Sequence, residues 1–200
     1  MADKVPAVYN LVFNRLMPRI TSALGTIPSS IVLGSGALSL LTFNRALMVT
    51  TIFFIELILI HIGLSGTSAQ LFPTLIPQGG FPHPTLFFIA GSLSYLNSAL
   101  ISFSDVFDRI GGEYSSKSGI ALILTFLSLA ALISYYVTTS QTTFGTSLLT
   151  ILLAFIVAII LLQINTLIFG KESVNILGVP TLVSTTGTGK PLYACGVVNK

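Results

Sequence analysis

"ALMVTTIFFIELILIHIGL", Ala46 to Leu64, is the stretch that decides the fold. Its one charged residue is Glu56, and its length is close to the ~20 residues that a helix needs to cross about 30 Å of hydrocarbon. The whole chain has 8% charged residues and a mean hydropathy of +0.92, whereas soluble domains contain roughly 25% charged residues. The sequence therefore predicts an integral membrane protein and excludes an ordinary soluble domain.

Three more apolar stretches follow the first one along the chain. The connector "SDVFDRIGGEYSSK", Ser104 to Lys117, is charged, whereas the connectors on either side of it contain no Lys, Arg, Asp or Glu. This alternation predicts two helical hairpins with a charged segment between them. We therefore expect an all-α membrane protein whose bundle, residues 46–168, has four transmembrane helices at about 46–64, 85–103, 118–137 and 147–168.

Basic residues predict how this bundle is oriented. All nine Lys and Arg residues fall on one side of the four-span arrangement, in the N-terminal segment, the charged connector and the C-terminal segment. Short cytoplasmic segments carry an excess of Lys and Arg. We expect both termini and the charged connector on the cytosolic side, and loops 65–84 and 138–146 on the other.

The N-terminal segment, residues 1–45, lies outside the predicted bundle. Apolar residues recur at three- to four-residue steps between Val5 and Ile20, which is typical of an interfacial amphipathic helix. Pro18 should bend or end that helix, because proline removes a backbone donor. Residues 27–43 are moderately apolar, and we expect them to be interfacial or re-entrant; a fifth span is the alternative.

The C-terminal segment, residues 169–200, is rich in β-branched residues and glycine and has few charges. This composition differs from the highly charged one of typical disordered tails. About 30 residues cannot bury a core of their own. We expect an extended arm that becomes ordered on another surface, with disorder as the alternative.

Glu56 is the residue with the clearest functional interest. A charged side chain at the centre of a span costs roughly 2.5–3.5 kcal/mol, so such residues usually face the interior of a bundle. Counting ~1.5 Å of rise per residue places Glu56 level with Ser94, Tyr95 and Asn97 of the second span. We predict a polar cluster of these four residues, in which a neutral Glu56 is hydrogen-bonded across the hairpin; a proton- or ion-coupling site is the alternative.

The second span also carries a stripe of small residues at four-residue spacing, Ala90, Ser94, Ser98 and Ser102. Small residues allow helix backbones to approach closely in a membrane, and their hydroxyls can form hydrogen bonds between helices. The stripe therefore predicts a helix-packing face.

No pattern in the sequence amounts to a catalytic, metal or cofactor site. "STTGTGKP", Ser184 to Pro191, departs from the phosphate-loop motif at both ends. The two histidines, His61 and His83, lie in different elements without further ligands at metal-binding spacing. Because four prolines and a glycine pair surround it, His83 is interpreted as part of a stiff connector, with a site role as the alternative. We expect no enzymatic activity, no cofactor and no nucleic-acid partner.

A charge-poor bundle with apolar segments at both ends resembles the small multi-span membrane proteins of large icosahedral DNA viruses. The resemblance is one of general character over the whole chain and assigns no functional residue. It implies a minor capsid protein in the internal membrane of a virion, where it would link bilayer and shell. The expected partners are then the bilayer and other membrane or capsid proteins, bound through the N-terminal segment and the C-terminal arm. The alternatives are an accessory subunit of a cellular membrane complex and a small proton-coupled transporter that uses Glu56.

Overall fold

The computed structural model describes residues 16–71, 80–104 and 113–175. These residues form five α-helices and a short 3-10 helix: α1 Met17–Thr42, α2 Arg45–Leu71, α3 Pro84–Ser102, α4 Glu113–Thr138, α5 Phe144–Phe169 and the 3-10 helix Lys171–Val174. Helices α2 to α5 are long and apolar enough to cross a membrane, which confirms the four predicted spans. Most of the predicted amphipathic stretch and of the C-terminal arm lies outside the described residues.

Helix α2 is longer than the sequence predicted. It continues through Gly66 to Leu71, past the predicted end at Leu64. The hydroxyl groups of this polar end are satisfied within the helix, because they donate back to carbonyls of the preceding turn, as in the bonds from Ser65 to Ile62 (3.0 Å) and from Thr67 to Gly63 (2.8 Å). Polar composition alone therefore did not mark the end of this helix.

Helix α5 begins slightly earlier than predicted because a capping box fixes its start. The Thr143 side chain accepts a hydrogen bond from the Thr146 backbone N–H, and the Thr146 side chain accepts one from the Thr143 N–H. This reciprocal pair satisfies backbone donors that have no partner within the helix. The helix then runs to Phe169, where Gly170 caps it by donating to the Thr166 carbonyl at 2.9 Å.

Helix α1 occupies the region in which the sequence predicted an interfacial or re-entrant segment. Pro18 lies in its first turn, where a missing N–H costs nothing. The bend lies further along, between Met17–Ala23 and Pro28–Thr42, which are inclined by 43°. Taken together, the two parts also pass the length and apolarity required of a span. Interfacial, re-entrant and spanning placements of α1 thus all remain compatible with its length.

Helices α1 and α2 form an antiparallel hairpin joined by Phe43 and Asn44. The Ser35 and Thr51 hydroxyls are 2.7 Å apart across it, and Gly36 lies against the Thr51 side chain. Phe43 ends α1 in a left-handed conformation with φ 52°. Helix α1 thus covers the N-terminal half of α2.

Helix α3 occupies the centre of the bundle. Its most extensive contact is with α5, and it also touches α1, α2 and α4. The core contains side chains with no exposed surface from three helices, among them Phe53, Leu57, Phe87, Ala90, Ala154 and Ala158. The hairpin of α2 and α3 and the hairpin of α4 and α5 are therefore held together mainly by the contact between α3 and α5.

The outer faces of α4 and α5 are strongly apolar and exposed. On α4 the exposed residues are Ile120, Leu122, Ile123, Leu124, Phe126 and Leu127; on α5 they include Leu149, Leu152, Ile156, Ile160, Leu167 and Ile168. Such surfaces are normal where lipid is the solvent. These faces are the lipid-facing side of the bundle.

Candidate functional site

Glu56 pairs with a residue of the last span. The Asn165 side-chain nitrogen donates to Glu56 Oε2 at 3.0 Å, which joins the middle of α2 to α5. Asn165 has no exposed surface, whereas Glu56 is half-buried. Apart from Arg45, Glu56 is the one formally charged residue of the described spans. Its hydrogen-bond partner is neutral and fully buried.

Counting helical rise alone did not identify Asn165. From the basic ends of their helices, Glu56 is about 16 Å along α2 and Asn165 about 6 Å along α5. Side chains tilt toward the N-terminus of their own helix, so Glu56 reaches back toward the basic end while Asn165, on an antiparallel helix, reaches toward the centre. The two side chains meet between these levels.

Tyr95, another member of the predicted cluster, packs against α2. Its ring stacks on Phe53 with centroids 4.1 Å apart, and its hydroxyl lies close to Thr50. Among the described residues, neither the Tyr95 hydroxyl nor Asn165 Oδ1 has a partner in hydrogen-bonding geometry, although both are buried. Buried polar atoms are usually paired, so these two need an explanation.

The other two members of the predicted cluster bond to different helices. The Asn97 side-chain nitrogen donates to the Thr125 hydroxyl of α4 at 2.9 Å. The Ser94 hydroxyl donates to the Phe155 carbonyl of α5 at 3.4 Å. The structure thus links all four residues to neighbouring helices, but it gives Glu56 a hydrogen-bond partner that was not among them.

The predicted stripe of small residues lies along α3 as expected from its spacing. Ala90 and Ser94 are buried at the centre of the bundle, while Ser98 and Ser102 are half-buried. The Ser102 hydroxyl donates to the Ser98 carbonyl of its own helix at 2.8 Å. The neighbouring Gly91 lies against the Leu57 side chain of α2, where an added Cβ would lie 3.0 Å from Leu57 Cδ2.

The chemistry available around Glu56 is that of a carboxyl, an amide and a phenol. These groups supply oxygen atoms and exchangeable protons. In the part of the chain that the structure describes, there is no group of three or more His, Cys, Asp or Glu residues that could hold a metal ion. The cluster can join helices or hold a proton.

The two histidines lie at the end of the bundle opposite Arg45. His61 Nε2 donates to the Pro82 carbonyl at 3.0 Å, and its ring centre lies 5.3 Å from that of Phe87 and 5.1 Å from that of Phe88. These contacts tie the end of α2 to the start of α3. His61 acts there as a packing and hydrogen-bonding group.

His83 caps α3 and is 7% exposed. Its Nδ1 accepts from the Leu86 N–H at 3.5 Å, its own N–H donates to Thr150 at 3.3 Å, and its ring lies 4.3 Å from that of Tyr136. Burial lowers the pKa of His83, and the nearby His61 lowers it further. These contacts agree with the interpretation of His83 as part of a connector.

The chain was compared with protein-family models, with curated protein sequences and with solved structures. None of the three comparisons gives a significant match. Its function is therefore inferred from the geometry of its own residues.

Proposed function

We propose that this chain is a structural integral membrane protein that anchors a bilayer to a protein assembly. The observation that carries the proposal is the use of polar side chains within the spans. Glu56 with Asn165 and Asn97 with Thr125 connect one helix to another. Interhelical hydrogen bonds of this kind stabilise a bundle in lipid.

The unpartnered Asn165 Oδ1 supports a neutral Glu56. A carboxylic acid and a primary amide can exchange two hydrogen bonds, one in each direction. Asn165 already donates to Glu56 Oε2, and a proton on the other carboxyl oxygen would donate to Asn165 Oδ1, which has no other partner. The pair would then carry no charge into the bilayer, where an uncompensated charge is costly.

The anchoring contacts belong to the segments that flank the bundle. Under this proposal the N-terminal segment and the C-terminal arm bind membrane or capsid proteins, with both termini on the cytosolic side. The resemblance to internal-membrane proteins of large DNA viruses makes a minor capsid protein the specific form of the proposal. An accessory subunit of a cellular complex would use the same segments.

Deletion of residues 176–200 tests the anchor. The shortened chain should insert and keep the unfolding profile of the full chain, because α5, the last span, ends at Phe169. It should no longer co-purify with the native assembly in mild detergent, whereas Glu56→Gln in the full-length chain should still do so. Retention of the assembly by the shortened chain would contradict the proposed role of the arm.

Cysteine accessibility tests the orientation. With Cys195 replaced by serine, single cysteines at Lys117 and Gln78 should react with a membrane-impermeant reagent from opposite sides. A third cysteine at Arg19 distinguishes the placements of α1, because a spanning α1 would expose it on the side of Gln78. Reaction of Lys117 and Gln78 positions from one side would contradict the four-span orientation.

A second candidate function is proton-coupled transport. It is favoured by the two unpartnered polar atoms beside Glu56, the Tyr95 hydroxyl and Asn165 Oδ1, which a water or a transferred proton could serve. Proton flux through purified protein in liposomes, lost in Glu56→Gln while the fold is kept, would establish transport. Absence of flux in the native chain is expected if Glu56 only joins helices.

A further inference from the structure

A polar groove opens at the basic end of the bundle, far from Glu56. It has a volume of about 440 Å³, within the roughly 300–1,000 Å³ of typical small-ligand sites. The turn between α1 and α2 forms one wall, and the end of α5 with the 3-10 helix forms the other. Its polar lining comes from Asn44, Arg45, Lys171, Ser173 and Asn175.

Two cationic residues from different elements line this groove. Arg45 comes from the start of α2 and Lys171 from the residue after Gly170. Within the described residues neither of them forms an ion pair, and Lys171 Nζ lies 5.4 Å from the centre of the Phe103 ring. Two cations that form no ion pair with a described residue therefore line the groove.

The position of Arg45 in its own helix is electrostatically unfavourable. It is the first residue of α2, and a helix N-terminus carries a positive partial charge that repels cations and attracts anions. Lys171 has an ordinary explanation, because it complements the negative end of α5. An anion in the groove would compensate Arg45, Lys171 and the N-terminus of α2 together.

The depth of the groove indicates where the anion comes from. The span of α2 begins at Arg45 and that of α5 ends at Phe169, so the groove lies where the hydrocarbon gives way to lipid headgroups. Apolar side chains around the same end are exposed and could contact acyl chains: Phe43 is 89% exposed and Leu167 is 85% exposed. We propose that this groove binds the phosphate group of an anionic phospholipid.

The roles of the two cations follow from their chemistry. The Arg45 guanidinium can form two parallel hydrogen bonds to phosphate oxygens, and the Lys171 ammonium provides a point charge from the other wall. Anionic lipids are attracted by basic residues near the membrane surface in general. What the groove adds is a fixed pair of cations on opposite walls.

The test measures phosphatidylglycerol binding to the purified full-length chain by native mass spectrometry, with phosphatidylcholine and inorganic phosphate as separate probes. We expect the native chain to retain phosphatidylglycerol in preference to both. Arg45→Gln combined with Lys171→Gln should weaken binding at least about tenfold, since each removes a charge-assisted contact. Arg19→Gln, which removes one exposed charge elsewhere, is the matched control, and Lys171→Arg should preserve binding.

Three results would overturn the proposal. Undiminished phosphatidylglycerol binding in the double variant would remove the groove from the interaction. An equal loss in Arg19→Gln would show that overall charge, and not this site, retains the lipid. Inorganic phosphate that binds the native chain as tightly as the lipid does would make the groove a free-phosphate site. If the double variant fails to fold, the single Arg45→Gln variant, at an exposed position, provides the same comparison.

Discussion

Helices α3 and α4 lie side by side in the bundle but have opposite relations to the lipid. The most apolar window of α3 has a mean hydropathy of 1.3 and is 44% buried, whereas that of α4 has a mean hydropathy of 2.2 and is 28% buried. The less apolar helix is therefore the more buried one. In water the reverse relation is usual, because burial removes apolar surface from solvent.

The difference follows from the solvent. Lipid tails are as apolar as leucine, so no hydrophobic gain draws α4 inward, and its Ile, Leu and Phe side chains remain at the surface. Small and polar residues gain most from a neighbouring helix. Gly91 approaches Leu57 closely, and Asn97 reaches Thr125. The polar and small residues of α3, α2 and α5 thus form the structural interior.

The largest expected effect comes from placing a cation in that interior. Glu56→Lys should destabilise the bundle by about 2.5 kcal/mol or more, because a lysine near the centre of a span is costly and the neutral Asn165 amide can accept a hydrogen bond from it but cannot neutralise its charge. Glu56→Gln should be tolerated, since an amide can still exchange hydrogen bonds with Asn165. Unfolding in a denaturing-detergent titration measures both, and equal loss in the two variants would contradict a neutral Glu56.

The next prediction compares an interior position with a lipid-facing position by making the same alanine-to-leucine substitution at each. Ala154 of α5 has no exposed surface, whereas Ala130 of α4 is exposed. Ala154→Leu should cost about 1–3 kcal/mol through overpacking against the core. Ala130→Leu should change stability by less than about 0.5 kcal/mol. Similar costs at the two positions would show that α4 does not face lipid.

The sequence predicted the four spans because the bilayer imposes a length and an apolar composition that can be read directly. It did not predict the end of α2, since the polar residues after Leu64 remain helical, with the hydroxyls of Ser65 and Thr67 bonded to carbonyls of their own helix. Nor did it predict the position of the bend in α1. The sequence placed a bend or a helix end at Pro18, but Pro18 occupies the first turn of α1 and the bend lies before Pro28. Local rules thus gave the elements but not all of their ends.

The candidate sites depend on which helices become neighbours, and the sequence patterns do not show which helices those are. Asn165 meets Glu56 only because α5 packs beside α2. Arg45 and Lys171 share a groove because the start of α2 lies beside the end of α5. An interior carboxyl could be identified, but its partner could not.

A smaller effect concerns the cap at the start of the buried helix α3. Burial holds the pKa of His83 below its usual 6.5. The neutral ring accepts from the Leu86 N–H, and a protonated ring cannot. The contribution of this cap to stability is therefore fully present above pH 6.5 and is lost as the pH falls through the lowered pKa. We expect a loss of about 1 kcal/mol, measured by thermal unfolding against pH. His83→Asn, which can cap without titrating there, should remove this part of the pH dependence, and an unchanged profile would contradict the assignment.

The smallest effect tests whether polar contacts between α3 and α4 stabilise the bundle at all. Asn97 donates to Thr125, whose hydroxyl in turn donates to the Ala121 carbonyl of its own helix at 2.9 Å. Hydrogen bonds between helices in lipid average only about 0.6 kcal/mol, because the separated helices also find partners. A double-mutant cycle with Asn97→Leu and Thr125→Val should give a coupling energy of that size. A value near zero would mean that α4 is held against α3 by packing alone, through side chains such as Leu129 and Leu132. The polar interior would then end at α3, and α4 would contribute only apolar packing to the bundle.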